Sequence, residues 1–179
     1  MARKCFLPFM VLVFFLSCTF RTKQERFLDF INNPSNRISQ IKNVSGIAMT
    51  AQYLPAEFNS IIQKERSHSD TPDDDYQYFQ FNIKYPATRT LDKSKVDYSN
   101  FDIAEDFMLV SGNDSAKAVF CQKIPDGIGN SLHYMMAFDK PKNLDKEDLK
   151  LVYADKIFGT GDILFLYLNK DLAQIPKIN

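Results

Sequence analysis

The sequence has no tryptophan, only two histidines, three cysteines and six glycines, and its 22 basic side chains are balanced by 22 acidic ones. Each scarcity excludes something. A zinc centre needs three or four converging ligands, and neither His68 nor His133 has a cysteine, histidine or carboxylate at a metal-motif spacing. The acidic run Asp70, Asp73, Asp74 and Asp75 lacks the alternating ligands, glycine and distal glutamate of a calcium loop. Neither Gly127-Ile128-Gly129 nor Gly159-Thr160-Gly161 opens a long helix, so both read as turns and not as phosphate cradles. No serine stands in a Gly-x-Ser-x-Gly elbow. The sequence therefore implies no metal and no cofactor. A net charge of zero gives no electrostatic reason to expect nucleic acid.

Aromatic residues are plentiful instead, with 16 Phe and 8 Tyr, a composition suited to strands packed over a core. The other strong signal is at the amino terminus. Arg3 and Lys4 precede an uncharged apolar run, Phe6 to Leu16, which Ser17-Cys18 closes. This is the build of an export signal. A bilayer-spanning helix needs about 20 apolar residues, and Arg21, Lys23, Glu25 and Arg26 end the run before that.

Phe15-Leu16-Ser17-Cys18 resembles the lipobox of bacterial lipoproteins, with serine before the cysteine as in lipoproteins of Bacteroidota and with Phe15 where the family prefers leucine. The resemblance implies removal of a signal peptide, residues 1–17, and acylation of Cys18. A lipidated tether, residues 18–26, would follow, then one globular β-rich domain, residues 27–179. It also implies a cell-envelope location, lipid-anchored at the outer membrane and facing the periplasm. With Cys5 lost and Cys18 acylated, Cys121 would remain as a lone thiol.

Along the body, Gln24 to Ile31 suits a short helix stopped before Pro34, and Val44 to Tyr53 a strand. Leu54, Phe58, Ile61 and Ile62 predict an amphipathic helix near residues 54–65, with Pro55 in its first turn. Ser67 to Asp75 reads as a solvated loop. Phe79, Phe81, Ile83 and Tyr85 alternate with polar residues, the mark of a half-buried antiparallel strand. Glycines then punctuate apolar runs at Phe107–Val110, Ala116–Ile124, Leu132–Phe138, Leu149–Phe158 and Ile163–Leu168. The last run is apolar on both faces and reads as a central strand. The fold class expected is mainly β, α+β at the margin: an immunoglobulin-like antiparallel β-sandwich with one amphipathic helix. A curled sheet packed on the Leu54 helix stands second.

Cys121, placed by simple alternation on one face with Lys117, Val119 and Lys123, is a weak nucleophile candidate. Asp114-Ser115-Ala116 resembles the short O-glycosylation motif of exported Bacteroidota proteins, which makes Ser115 a glycosylation candidate. The closing segment resembles that of small Bacteroidota envelope lipoproteins of unknown function. Together these features suggest a non-enzymatic binding or scaffolding module, joined to the membrane by the lipid on Cys18 and meeting a protein or glycan partner in the envelope. The alternatives are an envelope hydrolase whose groups come from scattered loops, and an immunity or inhibitor protein.

Overall fold

The computed structural model describes residues 22–56, 58, 75–142 and 146–177. The signal segment with Cys18, most of the expected helix at 54–65 and the loop Ser67 to Asp74 lie outside the described residues. Within them Leu54 is the last residue of a strand.

Eight strands form the body: β1 (Ser39–Val44), β2 (Ile47–Leu54), β3 (Tyr76–Lys84), β4 (Phe107–Ser111), β5 (Asp114–Lys123), β6 (Ser131–Asp139), β7 (Leu149–Asp155) and β8 (Gly161–Tyr167). The α-helices whose bounds fall within the described residues are α1 (Lys23–Asn32), α2 (Lys93–Phe101) and the single turn α3 (Asn169–Leu172); Ala56 and Phe58 are also helical. All strand pairs are antiparallel, in one continuous sheet of order β1-β2-β3-β6-β5-β4-β7-β8. The expected two-sheet sandwich is thereby corrected. A single sheet curls until its two edge strands meet, giving a nearly closed barrel.

One side chain bridges the two edge strands directly. The Gln40 amide on β1 reads the backbone of Leu166 on β8 from both sides: its Nε2 donates to the Leu166 carbonyl, and its Oε1 accepts from the Leu166 N–H at 3.2 Å. It thus stands in for the missing ladder between the edges. Farther inside, Tyr167 Oη donates to the Ala51 carbonyl on β2 at 2.9 Å. The run Ile163 to Leu168 is therefore an edge strand and not a central one. Its outward residues Leu164 and Leu166 are exposed, which accounts for apolarity on both faces without a second sheet.

Strand alternation fills the barrel. Met49, Ala51, Phe79, Phe81, Ile83, Leu109, Met136, Phe138, Leu151 and Phe165 point inward and are fully buried. On β2 and β3 the outward positions Thr50, Gln52, Gln80 and Asn82 are polar, in alternation with the buried ones. An eight-stranded barrel is just wide enough for side chains to fill. Here aromatic rings do so in edge-to-face and tilted contacts, among them Phe79–Phe138 at 5.7 Å and Phe81–Phe107 at 4.9 Å between centroids. The inward amide of Gln77 accepts from Tyr53 Oη at 2.6 Å, so its burial is compensated.

The β1–β2 hairpin turns on Ser45-Gly46, both at positive φ (52° and 78°), a pairing that suits the twist of a two-residue hairpin. A strand expected over Val44 to Tyr53 is thus one arm of a hairpin whose first arm has weaker alternation. α1 starts at Lys23, inside the stretch read as tether. Thr22 caps it reciprocally: Thr22 Oγ1 accepts from Glu25 N–H at 3.1 Å, and Glu25 Oε2 accepts from Thr22 N–H at 2.7 Å. Phe27 and Ile31 anchor α1 in the core. The Gln52 amide donates to the Ile31 carbonyl at 3.3 Å, which places α1 at the end of the barrel where β2 finishes.

Candidate functional site

At the opposite end, two loops and α2 come together. The register pairs Ala48 with Lys84 and Leu54 with Tyr78, so the finish of β3 lies at the far end from α1. Tyr85 follows β3 there, beside the β5–β6 loop and α2. The Tyr85 N–H donates to the Asn130 carbonyl at 3.1 Å, and Asn130 Nδ2 returns a bond to the Tyr85 carbonyl at 2.6 Å. Tyr85 Oη donates to the Gly129 carbonyl at 3.2 Å. The two loops are therefore fastened to each other.

The sequence pattern of α2 is only weakly amphipathic, and this helix was not expected. Its one clear signal is Asp92, whose carboxylate accepts from the Lys95 N–H at 2.9 Å as an N-cap. From inside the barrel, Tyr134 Oη donates to the Ser99 carbonyl at 3.0 Å and so holds the last turn of α2 over the mouth.

Between α2 and the two loops lies a cavity of about 600 Å³, a size ordinary for small-molecule sites. Leu91, Val96 and Leu132 give it apolar lining, while Arg89, Lys123 and Ser131 give it polar lining. Lys123 Nζ donates to Asn100 Oδ1 at 2.9 Å and to Ser99 Oγ at 3.2 Å. Burial presses its pKa below the ordinary lysine value, against the opposing pull of Asp126. The Arg89 guanidinium sits 5.1 Å from the centroid of the Phe158 ring, which in turn leans on Tyr85 at 5.2 Å.

The residues singled out from the sequence do not converge here. Cys121 is half-buried, and a β-bulge between Ala118 and Phe120 shifts its register. Val119 and Phe120 both become exposed, while Ala118 and Cys121 pack together against the core. Cys121 accordingly parts company with Val119. Burial pushes its thiol up to about 12, the opposite of activation by lysines. His133 is a strand residue on the outer face, its Nε2 against the Gln80 amide. Ser115 is exposed on β5 opposite Val110, in a strand and not in a turn. Among the described residues no three histidine, cysteine or acidic side chains gather as a metal site.

Two further polar clusters are structural. Asp106 is buried and joins Lys156 Nζ at 2.6 Å while accepting from Tyr98 Oη at 2.7 Å, tying α2 to β4 and β7. Asp155 organises the β7–β8 turn. It accepts from Tyr153 Oη (3.1 Å), the N–H groups of Ile157 (3.1 Å), Phe158 (3.0 Å) and Thr160 (2.9 Å), and Thr160 Oγ1 (2.6 Å). Because that turn carries Phe158, Asp155 indirectly sets where Arg89 can stack.

No protein-family model and no curated protein matches the chain. Among solved structures, it is similar to a protein of unknown function from Burkholderia pseudomallei K96243, with 8% sequence identity over 86% of this chain and 88% of that one and a TM-score of 0.48. A likeness of that size carries no argument about function.

Proposed function

We propose that the chain is a cell-envelope lipoprotein, held to the outer membrane on its periplasmic side by acyl chains on Cys18, whose barrel is a non-enzymatic binding module. The observation that carries the reading is the opposition of its two ends. α1, the described element nearest Cys18 in sequence, lies at one end, and a cavity with both polar and apolar lining opens at the other. Fully extended, Cys18 to Lys23 reaches no more than about 18 Å. The α1 end would stay close to the bilayer, with the mouth about 20 Å farther out along the strands. One acyl chain alone binds a membrane reversibly, whereas two or three would hold the protein there.

A hydrolase reading has less support. The one cysteine described carries a raised pKa, and His133 stands on the outer wall away from the mouth. Ser115, exposed on the outer face, is the position at which a glycan would be attached. Metabolic labelling with a radioactive fatty acid tests the attachment. Wild-type protein should take up label and Cys18→Ala should take up none, while equal labelling of both would end the lipoprotein reading.

A further inference from the structure

We propose that the mouth cavity takes a small organic anion, a carboxylate or phosphate on an apolar body, with its charged head between Lys123 and Arg89. The inference rests on the reading of this cavity as the binding site and adds the class of ligand.

The donors are the first argument. An ammonium has three N–H donors, and Lys123 gives two of them to neutral oxygens, Ser99 Oγ and Asn100 Oδ1. The Arg89 guanidinium carbon lies over the Phe158 ring, and among the described residues its five N–H donors have no hydrogen-bond partner. Among the described residues neither cation has a carboxylate within ion-pair distance. This is unlike Lys93, Lys117 and Lys156, each of which has one. None of the described residues lining the cavity is acidic.

Asp126 is the carboxylate that acts on Lys123 from nearby, and it is already engaged by the Ile128 N–H at 2.9 Å and by Ser131. A partly desolvated cation whose nearby carboxylate lies beyond ion-pair distance is only partly compensated, and an incoming anion would complete that compensation. Leu91, Val96 and Leu132 also line the cavity, and their apolar side chains suit the apolar body of the same ligand.

Titration calorimetry and methyl NMR on the full chain in a non-ionic detergent, with benzoate, phenyl phosphate and neutral benzyl alcohol as probes, test this. Benzoate or phenyl phosphate should bind and shift the Leu91 and Leu132 methyls. Each of Lys123→Gln and Arg89→Gln should weaken that binding about tenfold or more. Arg89→Lys should recover part of the loss. Arg89 is exposed, so its removal leaves a folded protein in which to read the effect even if Lys123→Gln unfolds. Benzyl alcohol binding as well as the anions, in wild type and variants alike, would overturn the anion assignment and leave a binding cavity of another class. No shift at these methyls with any probe would overturn the binding reading itself.

Discussion

Replacing Phe81 with alanine is expected to destabilise the protein by about 3–5 kcal/mol. The ring is fully buried at the middle of β3 and is shared by both halves of the sheet. It meets Phe107 of β4 at 4.9 Å, Tyr153 of β7 at 5.0 Å and Phe165 of β8 at 5.9 Å between centroids. None of those strands neighbours β3 in the sheet, so all three contacts cross the barrel interior. Alanine would remove the apolar area and leave a hole that surrounding rings, held by their own strands, cannot close. Domains of this size have only about 5–15 kcal/mol to lose. The comparison is Phe120→Ala, on the exposed side of the β5 bulge, which should change stability by no more than about 1 kcal/mol. Urea denaturation of the two variants checks this; equal midpoints would mean that the interior is not packed through Phe81.

The second large effect is at Asp155. Alanine there should cost about 3–5 kcal/mol, because the N–H groups of Ile157, Phe158 and Thr160 would lose their charged acceptor while Ile157 and Phe158 stay buried. The same carboxylate gives a pH dependence. Burial alone would raise its pKa, but the bonds from Thr160, Phe158 and Tyr153 outweigh it and hold the group below the usual aspartate range. With the folded value lowered, the stabilisation is fully present above the unfolded aspartate value of about 3.9. It is lost as pH falls through the folded value. Asp155→Asn should therefore be less stable than wild type at neutral pH and show a flatter acid limb below about pH 4. Thermal melts of both proteins across that range measure it, and parallel acid limbs would contradict the assignment.

These two residues also show what could be read in advance. Phe81 was legible: the alternation from Phe79 to Tyr85 puts alternate residues on one face, and that face is buried. Closure was not legible, because alternation is a local property that a sandwich and a barrel satisfy equally. What separates them is whether the last strand meets the first, and the one direct bridge seen there is made by Gln40, an ordinary amide in a weakly patterned strand, to Leu166 across the seam. Ile163 to Leu168 misled in the same way. Its outer Leu164 and Leu166 suggested a covering layer, but they are simply exposed on an edge strand.

The β5 bulge is a second physical reason. One extra residue reverses every later side chain, so Cys121 and Lys123 could not be placed by counting from Ala116. Lys123 consequently turns toward the mouth, where Arg89 and Leu91 arrive from a loop distant in sequence. No spacing rule links those positions. The N-cap Asp92 could have announced α2, and the Ser45-Gly46 pair the first hairpin, but neither marks a cavity. The lipobox resemblance is of another kind, since the residues that carry it, Phe15 to Cys18, are contiguous, and they lie outside the described residues.

The central claim, a barrel tethered by its acylated first residue, is tested most directly by the mass of the amino-terminal peptide of the protein taken from the membranes of the cells that make it. The account predicts a peptide that begins at Cys18 and carries a diacylglycerol thioether on its sulfur. A peptide that begins at Met1 or beyond Cys18, or one with a free Cys18 thiol, would contradict it.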